Sequence, residues 1–556
     1  MVRHALGIAL SAVVWLQPPP VLPLPSRSGP EGPPRPYGFQ PPPGSPAAHT
    51  AASLARAQDR ALLNGPFPQA GLTRGVSEGA LFLDEEAGVR ELAMTRVRDA
   101  GASVVRIPVD WRSTVVEAPP SSFDAADPAS PEYRFAPIDA AVLSAVSAGL
   151  TPLLVVSHAP AFAEAAPRWP YAYPGSWAPS PAALEEFAVA LARRYDGSFP
   201  DPQAPGGVLP RVRLFQAWNE PNLTRYLEPQ WVVEEGHWSP FSPLLYREML
   251  DGFYSGVKSV APSDVVVAAG VAPNGDREGV GRMQPVRFLR ELLCLGGSPG
   301  GGTGRPRAGR TRARRSRVSC AAQAYFDVLD FHPLSVGDPD LPATSSLDVS
   351  IADAAKVTDL LRQAEQLRTV LPEGAKPVWV TELNWESAPQ SPQGVPANLQ
   401  AQVISRALHR LWVAGVSLVA WQFLVDPYPG VRAATPTGAT VEYQRPAGLY
   451  SAGVGGALAS AEPKPFLRGF SFPFDPLRVD SRHVRVWALL ARPDQPVVLE
   501  RELSVGGAWR TIARLHADGY GVLNALISLR GAALLRLQSG ALGSAVASLP
   551  AGRSRL

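Results

Sequence analysis

The sequence predicts an α/β protein: a closed (β/α)8 TIM barrel followed by a small C-terminal all-β sandwich. Eight apolar runs of strand length recur between about residues 51 and 474, and amphipathic stretches with helical period separate most of them. Beyond residue 474 the helical period disappears and short β-type runs follow one another with turns between.

The barrel runs span residues 71–77, 103–109, 152–157, 211–218, 265–271, 326–331, 377–381 and 417–423. Helical stretches occupy 86–100, 181–195, 242–261, 350–370 and 397–414. Repeated strand–helix alternation is what a closed parallel barrel requires. A doubly wound open sheet is the structural alternative. It lacks its usual glycine-rich phosphate loop, because the glycines at 296–302 follow a helix rather than a strand. The C-terminal runs are 484–491, 497–504, 509–516, 522–529 and 533–537, and they compose a domain over 475–556. Such a module either binds carbohydrate or caps the barrel.

Composition sets the broader frame. A chain of 556 residues with 46% apolar-class and 18% charged residues can bury a large core. Its formal charge of +3 is small and uneven, since residues 305–317 alone hold seven arginines and no acid. Without that run the chain is slightly acidic, so no nucleic-acid partner is expected. The run itself reads as a solvated insertion, with acidic polysaccharide as the sharper alternative.

The N-terminus, a short basic stretch followed by about a dozen apolar residues, has the form of a secretory signal peptide over 1–26. A proline-dense linker follows over 27–50, and the barrel domain over 51–474. The apolar run is too short for a bilayer of about 30 Å, so no integral span is expected. A secreted monomer is the expectation. An uncleaved signal acting as an anchor and a buried N-terminal helix remain the alternatives. In an exported protein the isolated pair Cys294 and Cys320 favours a disulfide, the alternative being two unrelated buried thiols. A bridge there would close the basic loop and contribute about 3–4 kcal/mol by loop entropy.

Active sites of parallel barrels collect where the strands end, so residues closing each apolar run converge. Those residues are Arg106, Asp110 and Trp111 on the second strand and His158 on the third. The fourth supplies Asn219 and Glu220, the sixth His332, the seventh Glu382 and the eighth Trp421 with Gln422. Two carboxylates, Glu220 and Glu382, then face each other. Glycosidic cleavage with retention needs such a pair about 5–5.5 Å apart, one attacking and one protonating. Arg106 is placed to hold the attacking carboxylate ionised. Neither histidine belongs to a cluster with metal-ligand spacing, so no metal and no cofactor is expected. Tryptophans 111, 169, 177, 231, 238 and 385 fall in βα-loop territory, where rings either stack on sugars or pack the core.

LFQAWNEPNL (214–223) resembles the Asn-Glu-Pro segment of the retaining glycosidase clan that carries glutamates on strands four and seven. PVWVTELNW (377–385) is similar to that clan's strand-seven segment. VVRIPVDW (104–111), with His158, His332 and Trp421, resembles the cellulase-like glycoside hydrolase family five. The likeness spans about residues 60–470. It implies Glu220 as acid/base, Glu382 as nucleophile and Arg106 as the group that holds Glu382 ionised. It further implies Asn219 as ligand to the substrate 2-hydroxyl, His158 and His332 as subsite walls and Trp421 as the sugar-stacking floor, with a carbohydrate as partner. One departure stands out: family five carries a tyrosine two residues after the strand-six histidine, where this chain has Leu334. Tyr325 and Tyr428 are the candidate replacements, and family thirty-nine is the neighbouring alternative. Against hydrolysis stand two other functions, a non-catalytic carbohydrate-binding surface protein and a transglycosylase using the same site.

Overall fold

The computed structural model describes residues 60–296, 323–333, 337–427, 432–434, 440–442, 445–503 and 506–551. The expected signal peptide and linker, the basic run 305–317, Cys320 and Tyr428 lie outside them. Cys294 is buried just after a helix end; its pairing with Cys320 remains an expectation. No helix among the described residues is long and apolar enough to cross a membrane.

Eight parallel strands close into a barrel: β1 (Thr73–Ser77), β2 (Val104–Asp110), β3 (Thr151–Ser157), β4 (Leu214–Ala217), β5 (Val265–Val271), β6 (Val328–Phe331), β7 (Val378–Leu383) and β8 (Val416–Gln422). Each pairs with its neighbours in chain order, and β1 pairs with β8. The helices α1 (Ala87–Asp99), α2 (Ala136–Ser147), α3 (Pro181–Arg194), α4 (Ser242–Val260), α5 (Pro285–Leu292), α6 (Ala354–Leu367) and α7 (Ala397–Val413) surround it, and α8 (Pro465–Ser471) follows β8.

These elements follow from side-chain period. In α4 the buried Leu245, Met249, Phe253 and Val257 recur on one face, turned toward the barrel. Its glycines let α3 come close. A Cβ on Gly256 would stand 2.5 Å from the Glu185 carbonyl oxygen, so no larger residue fits this crossing.

In the strands the period is two. Val104 of β2, Leu153 of β3, Val267 of β5, Val328 of β6 and Leu418 and Ala420 of β8 turn inward and plug the barrel. The alternate residues Val105, Ile107 and Val109 on β2, and Val419 and Trp421 on β8, turn outward to the helices. The inward set becomes polar toward the strand ends, where it begins the candidate site.

Beyond the barrel lies a domain of two antiparallel sheets. One orders β9 (Phe474–Arg478), β10 (His483–Leu489) and β13 (Val522–Ser528). The other holds β12 (Trp509–His516), β11 (Pro496–Glu502), β14 (Ala533–Ser539) and β15 (Leu542–Gly543), with β16 (Ala547–Leu549) also pairing with β14. Val486, Leu499, Leu523, Leu535 and Leu537 are among its core residues. The sequence reading missed β9, because Asp475 and Pro476 interrupt its apolar pattern. Proline is tolerated there because β9 is an edge strand.

The two domains share α7, which is buried nearly all round. The His409 ring stacks on Trp487 of β10 with centroids 4.7 Å apart. Both carboxylate oxygens of Asp475 of β9 accept from Arg406 Nε, at 2.9 and 2.8 Å, and one of them also bonds His409 Nδ1 at 2.7 Å. Arg406 also reaches Asp340, in the segment between β6 and α6, at 2.7 Å. Burial opposes ionisation of Asp475, but Arg406 and His409 outweigh it and hold its carboxyl below the usual range.

Candidate active site

At the carboxyl end of the barrel the inward polar residues form one connected network. Arg106 is its hub. The guanidinium donates to Glu382 Oε1 at 2.6 Å, Asn219 Oδ1 at 2.5 Å, Gln216 Oε1 at 2.8 Å and Ser77 Oγ at 3.3 Å. Gln216 passes its amide N–H on to Asp330 at 2.8 Å, and Asp330 also accepts the Thr381 backbone N–H at 2.9 Å. Each buried polar group is thereby matched, which a low-dielectric interior demands.

Local backbone geometry aims the two glutamates. Beyond β4, Trp218 and Glu220 take left-handed φ values of 73° and 40°, a conformation that side chains other than glycine adopt at a cost of about 1–3 kcal/mol. Asn222 holds this turn in place. Its buried amide donates to the Ala272 and Met283 carbonyls at 3.1 and 2.9 Å and accepts the Ala272 N–H at 2.8 Å. On β7 the pairing with β8 slips between Val380 and Leu383, so that Thr381 and Glu382 both reach the network.

Glu220 and Glu382 approach each other across His332, their facing oxygens and the histidine nitrogen all within 4.8 Å. Their surroundings differ. Glu382 accepts from Arg106 and, at 2.7 Å, from Gln422 Nε2. Glu220 is bonded to His332 Nδ1 at 3.1 Å, and among the described residues no second side chain donates to it. Burial disfavours a charged His332, yet Glu382, Asp330 and Glu220 together raise its pKa to about 10. Burial likewise works against the Glu382 carboxylate, and His332, Arg106 and Gln422 reverse the effect and lower its pKa. The electrostatics of the site thus favour a protonated His332 beside an ionised Glu382.

Of the residues singled out from sequence, Arg106, Asn219, Glu220, His332 and Glu382 come together. His158 lies at the rim, its ring 5.2 Å from Tyr226 and its Nδ1 3.1 Å from Ser157 Oγ. Burial depresses its pKa, against the opposing charge of Asp110.

Trp421 and Trp111 do not line the site. Trp421 is 0% exposed, donates to the Ala447 carbonyl at 2.9 Å and packs on Phe466 of α8. Trp111 is 1% exposed and stacks on Phe187 of α3, with centroids 5.1 Å apart. The reason is strand parity: both belong to the outward-facing set, and on β8 it is the next residue, Gln422, that turns inward. Tyr325 precedes β6 and packs on Tyr254 of α4, at the opposite end of the strands.

The reading from sequence also missed Gln216, Asp330 and Thr381, all polar residues of the inward parity. Tyr226 was missed as well. It comes from the β4–α4 connection, and its phenol pKa is raised by burial first and next by the charge of Glu220, with Glu382 adding to it.

Glu220, His332 and Glu382 present three ligand atoms with a spacing that a metal ion could bridge. Glu382, however, already faces a cation and a donor, with Arg106 and Gln422 directly on it. A divalent cation would meet that guanidinium, so the set suits proton and nucleophile chemistry better.

Gly270 sets a limit on the network. It lies at a register slip between β5 and β6, with φ +65°. An added Cβ would stand 2.7 Å from Gln216 Nε2, 2.9 Å from Asp330 Oδ2 and 3.1 Å from His332 Nε2. Gly270→Ala should lower unfolding free energy by about 1–3 kcal/mol and kcat/KM by about a hundredfold. Urea denaturation beside steady-state kinetics checks this, and a variant with unchanged kinetics would mean the network has slack.

No protein-family model and no curated protein sequence matches this chain. Solved structures with a similar chain path include a family 39 glycoside hydrolase from the gut symbiont Bacteroides cellulosilyticus, at 17% identity and TM-score 0.45, covering 83% of this chain and 81% of that one. A monomeric beta-xylosidase from Caulobacter crescentus matches at 12% identity and TM-score 0.43, covering 83% and 96%. An endo-beta-1,4-mannanase from Thermotoga petrophila matches at 13% identity and TM-score 0.39, covering 88% and 98%.

Proposed function

We propose that the chain is a glycoside hydrolase that cleaves O-glycosidic bonds of an oligosaccharide, polysaccharide or glycoconjugate with retention, by double displacement. The observation carrying this reading is the close approach of two carboxylates with unequal surroundings. Their facing oxygens lie within 4.8 Å. A retaining pair stands about 5–5.5 Å apart, whereas an inverting pair needs about 6.5–9.5 Å to admit a water.

Glu382, held ionised by Arg106 and His332, attacks the anomeric carbon. The bond to the leaving oxygen breaks, and Glu220 gives that oxygen its proton. A glycosyl ester of Glu382 results. Water then attacks the same carbon, Glu220 takes back a proton, and the ester oxygen leaves as the carboxylate. Asn219 has its carbonyl oxygen committed to Arg106, which leaves its amide N–H free to donate to a substrate hydroxyl.

A screen of aryl glycosides identifies the sugar, and proton NMR of the first-formed product then tests the mechanism. The hemiacetal should appear with the configuration of the substrate and only later mutarotate. An inverted first product, or no hydrolysis of any aryl glycoside or polysaccharide, would reject the proposal.

A further inference from the structure

The connection between β3 and α3, residues 158–180, carries Phe162, Trp169, Tyr171, Tyr173 and Trp177, and no valine, leucine, isoleucine or methionine. Three of these rings form a continuous row that ends in solvent. The loop packs against His158, since a Cβ on Gly175 would stand 2.8 Å from the His158 Cα. Trp177 forms a β-bridge with Glu228, two residues beyond Tyr226, whose ring lies on His158. From Trp177 the rings continue to Trp169, with centroids 6.2 Å apart, and from Trp169 to Tyr171 at 5.7 Å. Tyr171 is 72% exposed.

The loop is fastened from beneath. Glu164 accepts from Arg168 Nε at 3.0 Å and from the Trp177 backbone N–H at 2.8 Å, while Arg168 reaches the Ala172 carbonyl at 2.6 Å. The Glu164 side chain is only 5% exposed, so the acceptor at the centre of this brace is shielded from water. A braced loop presenting open rings has its binding surface formed in advance, which lowers the entropic cost of taking a ligand.

We propose that Trp177, Trp169 and Tyr171 form an aromatic track for the pyranose units adjoining the cleaved bond, so that the substrate is a saccharide chain several units long. This rests on the glycosidase reading and names its substrate class. Tryptophan and tyrosine pair an apolar face with a polar edge, as a pyranose ring does with its C–H face and equatorial hydroxyls. The loop carries no branched aliphatic side chain beside these rings, so the apolar surface it offers a ligand is flat and aromatic. The loop's packing on His158 through Gly175 and its bridge to Glu228 put it beside the site, which favours a longer stretch of the same substrate over an unrelated ligand.

The test measures binding without turnover. A Glu382→Ala protein is titrated, by intrinsic tryptophan fluorescence and by calorimetry, with linear gluco-, xylo- and mannopentaose and with the methyl glycoside of each sugar. At least one pentaose should bind about tenfold or more tighter than its methyl glycoside. That gain should be lost on adding Trp169→Ala, reduced by Tyr171→Ala and restored by Trp169→Phe. Tyr171 is open to solvent, so its loss leaves the fold alone. Equal affinity for pentaose and methyl glycoside, no binding of any pentaose, or a gain indifferent to both substitutions would overturn the track. Hydrolysis of aryl monosaccharide glycosides by the unmodified enzyme, insensitive to Tyr171→Ala, reports separately on the glycosidase reading.

Discussion

Supplied with azide, a Glu220→Ala variant should convert an activated aryl glycoside into a glycosyl azide of retained configuration. Removing the acid should cost about 10²–10⁴-fold on substrates with poor leaving groups, because their departing oxygen needs the proton most. An activated aryl leaving group departs without it, so the glycosyl ester on Glu382 should form and accumulate. Azide, already an anion, attacks that ester without a general base. Glu382→Ala should behave oppositely: turnover falls about ten-thousand-fold or more, and azide entering the vacated space yields the inverted product. Arg106 keeps Gln216 and Asn219 as partners in that variant, so it should still fold. Product configuration read by NMR decides between the roles. An inverted azide from Glu220→Ala would exchange them, and full activity in both variants would remove the pair from the chemistry.

Asp475→Ala should destabilise the whole protein by about 3–5 kcal/mol, because deleting one partner of a buried ion pair strands the other charge. Arg406 would keep only Asp340, and His409 would lose the acceptor of its Nδ1–H. Since α7 belongs to both domains, the loss should appear as one shifted transition in chemical denaturation rather than as separate melting of the C-terminal sheets. Two resolved transitions, with the barrel's midpoint unchanged, would show that the domains fold independently. For the same reason a barrel ending at residue 474 would be cut inside β9, and it would leave α7 uncovered along the side that Trp487 occupies.

The strands were legible because those of a closed barrel are buried on both faces and so read as near-continuous apolar runs. Arg106, Glu220, His332 and Glu382 stood out against that background as polar or charged residues ending such runs. Parity was the information left unused. Counting in twos from Arg106 along β2, or back from Gln422 along β8, separates pocket from helix-facing positions and sends Trp111 and Trp421 outward. The same count picks out Gln216 and Asp330 as neighbours of the site. It could not have shown that Thr381 and Glu382 both turn inward, because that depends on a slip in strand register. Tyr226 was hidden for another reason: it arrives from a connection whose path no period describes.

The position of His332, 3.1 Å from one carboxylate and 3.9 Å from the other, has a consequence for how charge is distributed during a turnover. In the proposed cycle the negative charge leaves Glu382 when its ester forms and reappears on Glu220, which has just lost its proton. Beside the fixed Asp330 carboxylate at 3.3 Å, the imidazolium thus faces one further negative charge that the two glutamates carry in turn. Its own proton can stay in place through both half-reactions, and the surrounding dipoles need not reorient to follow the charge. Arg106 lacks this symmetry, since it touches Glu382 alone of the two. In that proposed cycle the site would combine a stationary counter-ion common to both steps with a clamp specific to one, and hydrolysis of the ester would regain the Arg106 ion pair that its formation gave up.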